Sequence, residues 1–182
     1  MSITESEQRA VAPARWNVVG DDTSVEFAVK TFWGLMTVRG RFDRFDGSYE
    51  LGPQGARIEL TIDADSLDTG NATRDRHLRS ADFFGVAQHP QLRFASTLVR
   101  PADDGTLHVE GGLEAAGVVV PLELDAVVRQ VDDRLEIEAT TTVDQRQLGM
   151  SSGKLGMIRP PATLHVKAHL HGTTYARTQV AA

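Results

Sequence analysis

Alternation of apolar and polar residues is the pattern that most constrains how this chain can fold. Apolar side chains occupy every second position in segments 25–30, 57–62, 107–110 and 135–138. A period of two is the period of a β-strand, whose successive side chains point to opposite faces. Because each run leaves one face polar, the strands are typical of an antiparallel sheet with one face in water. The chain is therefore predicted to be all-β.

Turn-forming residues separate the alternating runs. The stretches "GDDTS" at 20–24, "ELGPQG" at 50–55, "RPADDG" at 100–105 and "QVDDR" at 130–134 supply the Gly, Pro and Asp that tight turns use. Strands separated by such short turns pair with their neighbours in sequence. We therefore predict eight or nine strands in an antiparallel meander.

Strand length favours a barrel over a sandwich. Segments 37–51 and 118–130 are both predicted as strands, and both exceed the usual five or six residues. Long antiparallel strands coil, and closing the sheet removes its exposed edges. We predict an extended, lipocalin-like barrel of about eight strands.

One segment breaks the alternation. Residues 72–84, "ATRDRHLRSADFF", place charged residues before two aromatic ones. Asn71 or Thr73 can cap a short helix, with Asp75 in its first turn. We predict a short helical insertion near residues 72–84 that lies across one end of the barrel as a cap.

Composition narrows the classes of function. The formal net charge is −6, which disfavours binding to nucleic acid. The longest apolar runs, such as "AAGVVVPL", are too short to cross a bilayer, and the absence of cysteine excludes disulfides and thiol chemistry. No apolar run marks a secretion signal in the first residues, so a cytoplasmic location is expected.

We predict one domain at 15–175, with a flexible extension at 1–14 and a flexible tail at 176–182.

Three long segments carry a resemblance to a known family. These are "WNVVGDDTSVEFAVKTFWGLMTVRGRFDRFDG" at 16–47, "IDADSLDTGNATRDRHLRSADFFGVAQHPQLRFAST" at 62–97 and "VEGGLEAAGVVVPLEL" at 109–124. The chain resembles the YceI-like domain family, also described as polyisoprenoid-binding, lipocalin-like proteins. It departs from that family near Gln145, where an Arg or Asn-Arg is usual. The resemblance implies a barrel whose hydrophobic channel binds a long isoprenoid or similar lipid without converting it.

Candidate ligand-binding residues follow from the alternation and the resemblance together. The lipid tail is predicted to lie among nine apolar residues: Phe27, Val29, Phe42, Leu60, Phe83, Phe84, Phe94, Leu122 and Leu124. Four residues of the cap are predicted to contact an anionic head group: Arg74, Arg76, His77 and Arg79. Arginine presents a planar fork that suits phosphate. In the alternative interpretation these arginines pair with Asp68, Asp75 and Asp82 and only stiffen the loop.

Two other classes of function remain open. In the first, the barrel is an enzyme for a small hydrophobic substrate, with His77 and either Asp75 or Asp82 as acid and base. In the second, the barrel is fully packed and acts through surface protein partners in a stress response. An apolar barrel face that carries Val119 and Val127 is the surface at which a homodimer would form. Neither a cofactor nor a metal is predicted, although several histidines share one face of the segment 165–171.

Overall fold

The computed structural model describes residues 14–19, 23–31, 36–132, 134–150 and 158–173. Within them lie eleven strands and one α-helix, α1 at Ala72–Arg79. The strands are β1 Ala14–Val18, β2 Ser24–Thr31, β3 Met36–Phe42, β4 Phe45–Gly52, β5 Gly55–Asp63, β6 Leu67–Asp68, β7 Gln91–Pro101, β8 Leu107–Ala115, β9 Val118–Val131, β10 Arg134–Val143 and β11 Ile158–Thr173. The predicted flexible ends lie outside the described residues, apart from Ala14, which begins β1.

Eight of the strands form a closed antiparallel barrel. Their order around the ring is β1, β4, β5, β7, β8, β9, β10 and β11, and β11 pairs with β1 to close it. The prediction of an all-β, antiparallel barrel of about eight strands with a short helical insertion is confirmed. Because β11 pairs with β1, the ring closes on itself and exposes less strand edge than an open sheet would.

Strands β2, β3 and β6 extend the barrel at one end. The long strand β11 pairs with β1 through residues 170–173 and with β2 through residues 158–167. The prediction of one strand across 37–51 is wrong, because the chain leaves the ladder at Asp43 and Arg44 between β3 and β4. There the Asp43 N–H donates to the Ser66 carbonyl at 3.2 Å, and the Arg44 carbonyl accepts from Asp63 N at 2.9 Å.

Helix α1 forms where Asn71 can cap it. The Asn71 side-chain oxygen accepts the N–H groups of Thr73 at 3.1 Å and Arg74 at 3.0 Å, which satisfies two of the unpaired donors of the first turn. The helix follows β5 and β6 and precedes β7, so it lies at the barrel end where β10 also finishes. We call residues 72–86 the cap, this end the cap end, and the opposite end the far end.

Side chains fill the far end of the barrel. Val109, Ala126 and Leu135 are 0%, 1% and 5% exposed there. The rings of Trp16 and Tyr49 pack against each other with centroids 5.5 Å apart. Tyr49 belongs to the buried core and Trp16 packs against that core, so both rings contribute to the packing of the far end.

Candidate ligand cavity

A cavity of about 210 Å³ lies inside the barrel between the far-end packing and the cap. Its walls come from residues of the strands, from the cap residues Leu78, Phe83 and Phe84, and from the turn after β10. All but four of the lining residues are apolar. The structure places all nine apolar residues proposed for the lipid tail along this cavity: Phe27, Val29, Phe42, Leu60, Phe83, Phe84, Phe94, Leu122 and Leu124.

Aromatic side chains connect the cap to the strands beneath it. The rings of Phe84 and Phe42 pack edge-on, with centroids 5.9 Å apart and an interplanar angle of 82°. The centroids of Phe42 and Phe27 lie 5.7 Å apart. Such edge-on and tilted pairs are favourable beyond the area they bury. The cap therefore forms one wall of the cavity.

Glycine at position 40 makes room for one of these rings. A Cβ atom at Gly40 would lie 2.4 Å from Cζ of Phe27, well inside van der Waals contact. At Gly111 a Cβ atom would lie 2.4 Å from the Ala95 carbonyl oxygen. Both glycines are needed for close approach within the sheet.

Arg74 and Arg79 bind backbone carbonyl groups of the segment that precedes α1. Arg74 donates to the Thr69 hydroxyl and to the Thr69 carbonyl, both at 2.8 Å. Arg79 donates to the Asp65 carbonyl at 2.9 and 3.1 Å and to the Leu67 carbonyl, and it pairs with the Asp65 carboxylate at 3.1 Å. These arginines hold the cap against β6.

The remaining candidates for the head end lie outside the cavity lining. Arg76 is exposed, and the His77 ring lies edge-on to Phe83 with centroids 5.0 Å apart. Asp75 is buried, and its carboxylate accepts the N–H and hydroxyl of Thr69. Sequence reasoning offered Asp68, Asp75 and Asp82 as ion-pair partners of the arginines. Arg74 instead donates to Thr69, and Arg79 contacts Asp65 and Leu67.

Four polar residues border the cavity: Ser48, Glu59, Thr141 and Gln145. Glu59 is exposed and pairs with Arg57 at 2.8 Å, and the Thr141 hydroxyl donates to the Glu123 carbonyl at 3.0 Å. The Oε1 atom of Gln145 is buried and accepts no hydrogen bond from the part of the chain that the structure describes. Sequence reasoning did not select Gln145 as a ligand contact.

Sequence reasoning also left out many apolar lining residues. Ile58, Ile62, Leu113, Val143 and Val166 all border the cavity. Ile58 and Ile62 belong to an alternating run recognised in the sequence, and Leu113 and Val143 lie in phase with two others, so the same period would have found them.

Two titratable groups report on the surroundings of the cavity. Burial raises the pKa of the Tyr49 phenol at the far end. At the cap end a hydrogen bond from Arg44 lowers the pKa of Asp63, whose carboxylate accepts the Arg44 Nε at 2.8 Å. The Tyr49 phenol is thus partly removed from water, and the Arg44–Asp63 ion pair lies on the outer surface at the cap end.

The remaining strand histidines show no metal-binding arrangement among the described residues, where no group of three or more His, Cys, Asp or Glu lies close enough to hold a metal ion. His165 contacts Glu138 at 3.7 Å on the outer face of the barrel.

In the part of the chain that the structure describes, no helix is long and apolar enough to span a membrane.

Sequence relatives are found among bacterial proteins of the UPF0312 group. The chain is 37% identical over 126 residues to a UPF0312 protein of Pectobacterium atrosepticum, which covers 67% of this chain and 65% of that protein's length. It is 34% identical over 140 residues to a UPF0312 protein of Pseudomonas aeruginosa LESB58, 72% of either chain. With protein YceI of Escherichia coli it shares 38% identity over 118 residues, 63% of this chain and 61% of that one.

Solved structures share the fold at low sequence identity. BcnA of Burkholderia cenocepacia superposes with a TM-score of 0.75 at 20% identity, covering 86% of this chain and 99% of BcnA. A polyisoprenoid binding domain from Saccharophagus degradans gives a TM-score of 0.68 at 15% identity, covering 88% and 98%. The model of the YceI-like domain matches residues 16–170, which include all eight strands of the ring in whole or in part. The resemblance recognised in the sequence is confirmed, and the chain belongs to the YceI-like domain family.

Proposed function

We propose that the barrel binds the chain of a long isoprenoid or comparable amphipathic lipid in its interior and carries it without converting it. The observation that supports this proposal is the apolar cavity of about 210 Å³ inside the barrel, bordered by all nine residues predicted for the tail. An apolar cavity of about 150 Å³ already stays dry and binds benzene. A cavity larger than that one, with apolar walls, is suited to a hydrocarbon chain.

The energetics favour part of a chain over a small polar molecule. Each methylene group removed from water contributes about 0.8 kcal/mol, so one five-carbon isoprene unit contributes about 3 to 4 kcal/mol before ordering costs. A cavity of this size holds only a section of a long lipid. In our proposal the remainder leaves the barrel at the cap end, because Trp16 and Tyr49 fill the far end.

A structural neighbour supports the same class of ligand. The Saccharophagus degradans domain of the same fold is described as polyisoprenoid binding. Fold alone does not determine ligand, so the support for this chain rests on its own cavity.

The cytoplasmic location and the homodimer through Val119 and Val127 remain predictions from the sequence. Cell fractionation would test the location, and analytical sedimentation would test the homodimer.

The four cap residues remain proposed contacts for an anionic head group. Arg74 and Arg79 already donate to carbonyl groups, so they would have to exchange those partners to bind a phosphate. Arg76 is exposed, and His77 packs on Phe83. The enzyme alternative has less support, since His77 does not border the cavity and Asp75 is engaged by Thr69.

Native mass spectrometry of gently purified protein, followed by solvent extraction, tests the proposal. We expect a stoichiometric prenyl or acyl lipid that is lost in Phe94→Asp, which places a charge in the cavity. Arg93→Asp is the matched control, because Arg93 is the exposed neighbour on the same strand. Both variants are checked for native β-sheet content by circular dichroism. A protein mass without ligand that stays unchanged after incubation with prenyl lipids would contradict the proposal and favour the packed barrel.

A further inference from the structure

Gln145 places one unpaired hydrogen-bond acceptor against an otherwise apolar cavity. Its Oε1 atom is buried and has no donor among the described residues, and the residue borders the cavity beside Leu148 and Met150. A buried carbonyl oxygen without a partner is costly, and native proteins seldom keep one without a reason. The missing partner is therefore a candidate feature of the ligand.

The turn that carries Gln145 is well supported by its own hydrogen bonds. The Leu148 and Met150 N–H groups donate to the Gln145 carbonyl at 3.2 and 3.3 Å. Asp144, which precedes it, accepts the Arg146 backbone N–H at 3.0 Å and pairs with the Arg146 guanidinium at 2.6 Å. The backbone at Gln145 is thus held in place from both sides, and its side chain is presented to the cavity at the cap end.

The charges around the cavity disfavour an anionic group at this position. Among the residues that the structure describes, those that line the cavity include no Arg, Lys or His, and their one ionisable residue is Glu59. A phosphate brought next to Gln145 Oε1 would meet an acceptor and would lose water without gaining a positive partner. An uncharged hydroxyl or amide N–H would instead donate to Oε1 and complete its hydrogen bonding.

We propose that Gln145 selects a lipid whose polar end is uncharged and carries an O–H or N–H donor, as a prenyl alcohol does. This inference rests on the proposed function, because it assigns the polar end of a lipid whose chain lies in the cavity. It makes Gln145 a specificity-determining residue. It is an alternative to the head-group contacts proposed above for the cap residues, because Arg74 and Arg79 then only hold the cap.

Binding of a matched pair of lipids tests the inference. Geranylgeraniol and its methyl ether have the same chain, but only the alcohol has a donor. We expect the native protein to bind the alcohol about tenfold more tightly than the ether, the usual range of one neutral hydrogen bond. In Gln145→Met the preference is expected to vanish, with ether binding retained. The control is Gln147→Met, since Gln147 is exposed in the same turn and its replacement should leave the preference intact.

The outcomes separate this inference from the proposal beneath it. Equal binding of alcohol and ether by the native protein, or a preference that survives in Gln145→Met, overturns the role of Gln145 and leaves lipid binding standing. Tighter binding of geranylgeranyl phosphate than of the alcohol also overturns it and favours the cap arginines. If the protein binds none of the three lipids, both the lipid-binding function and the role of Gln145 are overturned. Thermal unfolding without lipid gives an independent check, because replacing an amide whose buried oxygen is unpaired by Met should leave the melting temperature unchanged or raise it.

Discussion

The two ends of the barrel interior differ in how completely side chains fill them. At the far end Val109 and Leu135 are 0% and 5% exposed and do not border the cavity. Towards the cap, Phe94 and Leu122 are 9% and 8% exposed and yet border empty space. The same closed ladder and the same alternation produce both regions. Burial from water alone therefore does not distinguish a packed core from a binding site.

Side-chain size accounts for the difference. The far end receives the two large rings of Trp16 and Tyr49, whereas four alanines border the cavity: Ala115, Ala139, Ala162 and Ala168. A barrel of eight strands is just wide enough for side chains to fill it or for one small ligand to enter it. Small residues on facing strands leave part of the barrel interior unfilled.

The largest expected effect comes from shortening leucines at the two ends. Leu135→Ala should lower the free energy of unfolding by about 3 kcal/mol, because it opens a void in packed surroundings. Leu122→Ala should cost about half as much, since its side chain already lacks neighbours on one side. Urea unfolding measures both. Equal losses would show that the cavity is filled in solution and would remove the contrast.

Replacing a glycine by alanine should cost more stability where the new methyl group meets backbone than where it meets a side chain that can move. Gly111→Ala should cost about 2 kcal/mol, because the new Cβ would meet the Ala95 carbonyl oxygen at 2.4 Å. Gly40→Ala should cost less than about 1 kcal/mol, since the contacted Phe27 ring can move into the cavity. The same movement should weaken lipid binding in Gly40→Ala. Thermal unfolding and lipid titration together check this, and a larger cost at Gly40 would argue against free space beside Phe27.

Enlarging two neighbouring alanines sharpens the comparison further. Ala126 and Ala139 face each other across β9 and β10, but only Ala139 borders the cavity. Ala126→Leu should cost about 1.5 kcal/mol through overpacking. Ala139→Leu should be close to neutral in the stability of the free protein and should reduce lipid binding. If both variants lose the same stability, the boundary between the two regions has been placed incorrectly.

The smallest expected effect concerns acid. A native pKa below the ordinary value means that the Asp63 carboxylate stabilises the fold above the unfolded pKa, and that this contribution is lost as pH falls through the native pKa. Because Asp63 is more than a third exposed, Asp63→Asn should cost less than about 1 kcal/mol at pH 7. The loss of stability should shrink as the pH falls below the ordinary pKa of Asp, about 3.9. Asp104 is the far-end counterpart, since a hydrogen bond from Thr106 lowers its pKa.

Unfolding curves at pH 7 and pH 3 test the role of Asp63, with lipid binding as a second readout. Asp63 accepts from Arg44 and from the Asp65 N–H at the cap end, so its replacement should also weaken lipid binding slightly. Asp104→Asn should leave lipid binding unchanged. If the loss of unfolding free energy in Asp63→Asn were larger at pH 3 than at pH 7, the result would contradict the lowered pKa of Asp63.

Sequence reasoning predicted the barrel and the apolar walls because both depend on local periodicity. Residues such as Leu60 and Leu122 face inward wherever the period of two holds, and Asn71 caps the helix through its own side chain. The break at Asp43 and Arg44 was missed, because it depends on hydrogen bonds to Ser66 and Asp63, about twenty residues further along the chain.

The polar part of the candidate site was harder to predict than the apolar part. Sequence shows that Arg74 and Arg79 are close to carboxylates and to aromatic residues, but which oxygen each guanidinium meets depends on the path of the backbone at 65–69. Gln145 lies beyond the end of β10 in a turn, where no periodicity indicates which side chains face inward. Only the packing of the turn against the cavity reveals it.

The short length of α1 has a consequence for exchange between bound and free lipid. An eight-residue helix is marginal in isolation, so the cap keeps its shape through Arg74, Arg79 and its aromatic contacts with the strands. Opening the ring of strands would break a continuous ladder, whereas releasing the cap breaks a few side-chain bonds. Local unfolding of the cap is therefore expected to cost less than global unfolding. The lifetime of a bound lipid would then follow the stability of this one segment, and backbone amides in α1 would exchange with solvent deuterium sooner than those of β9.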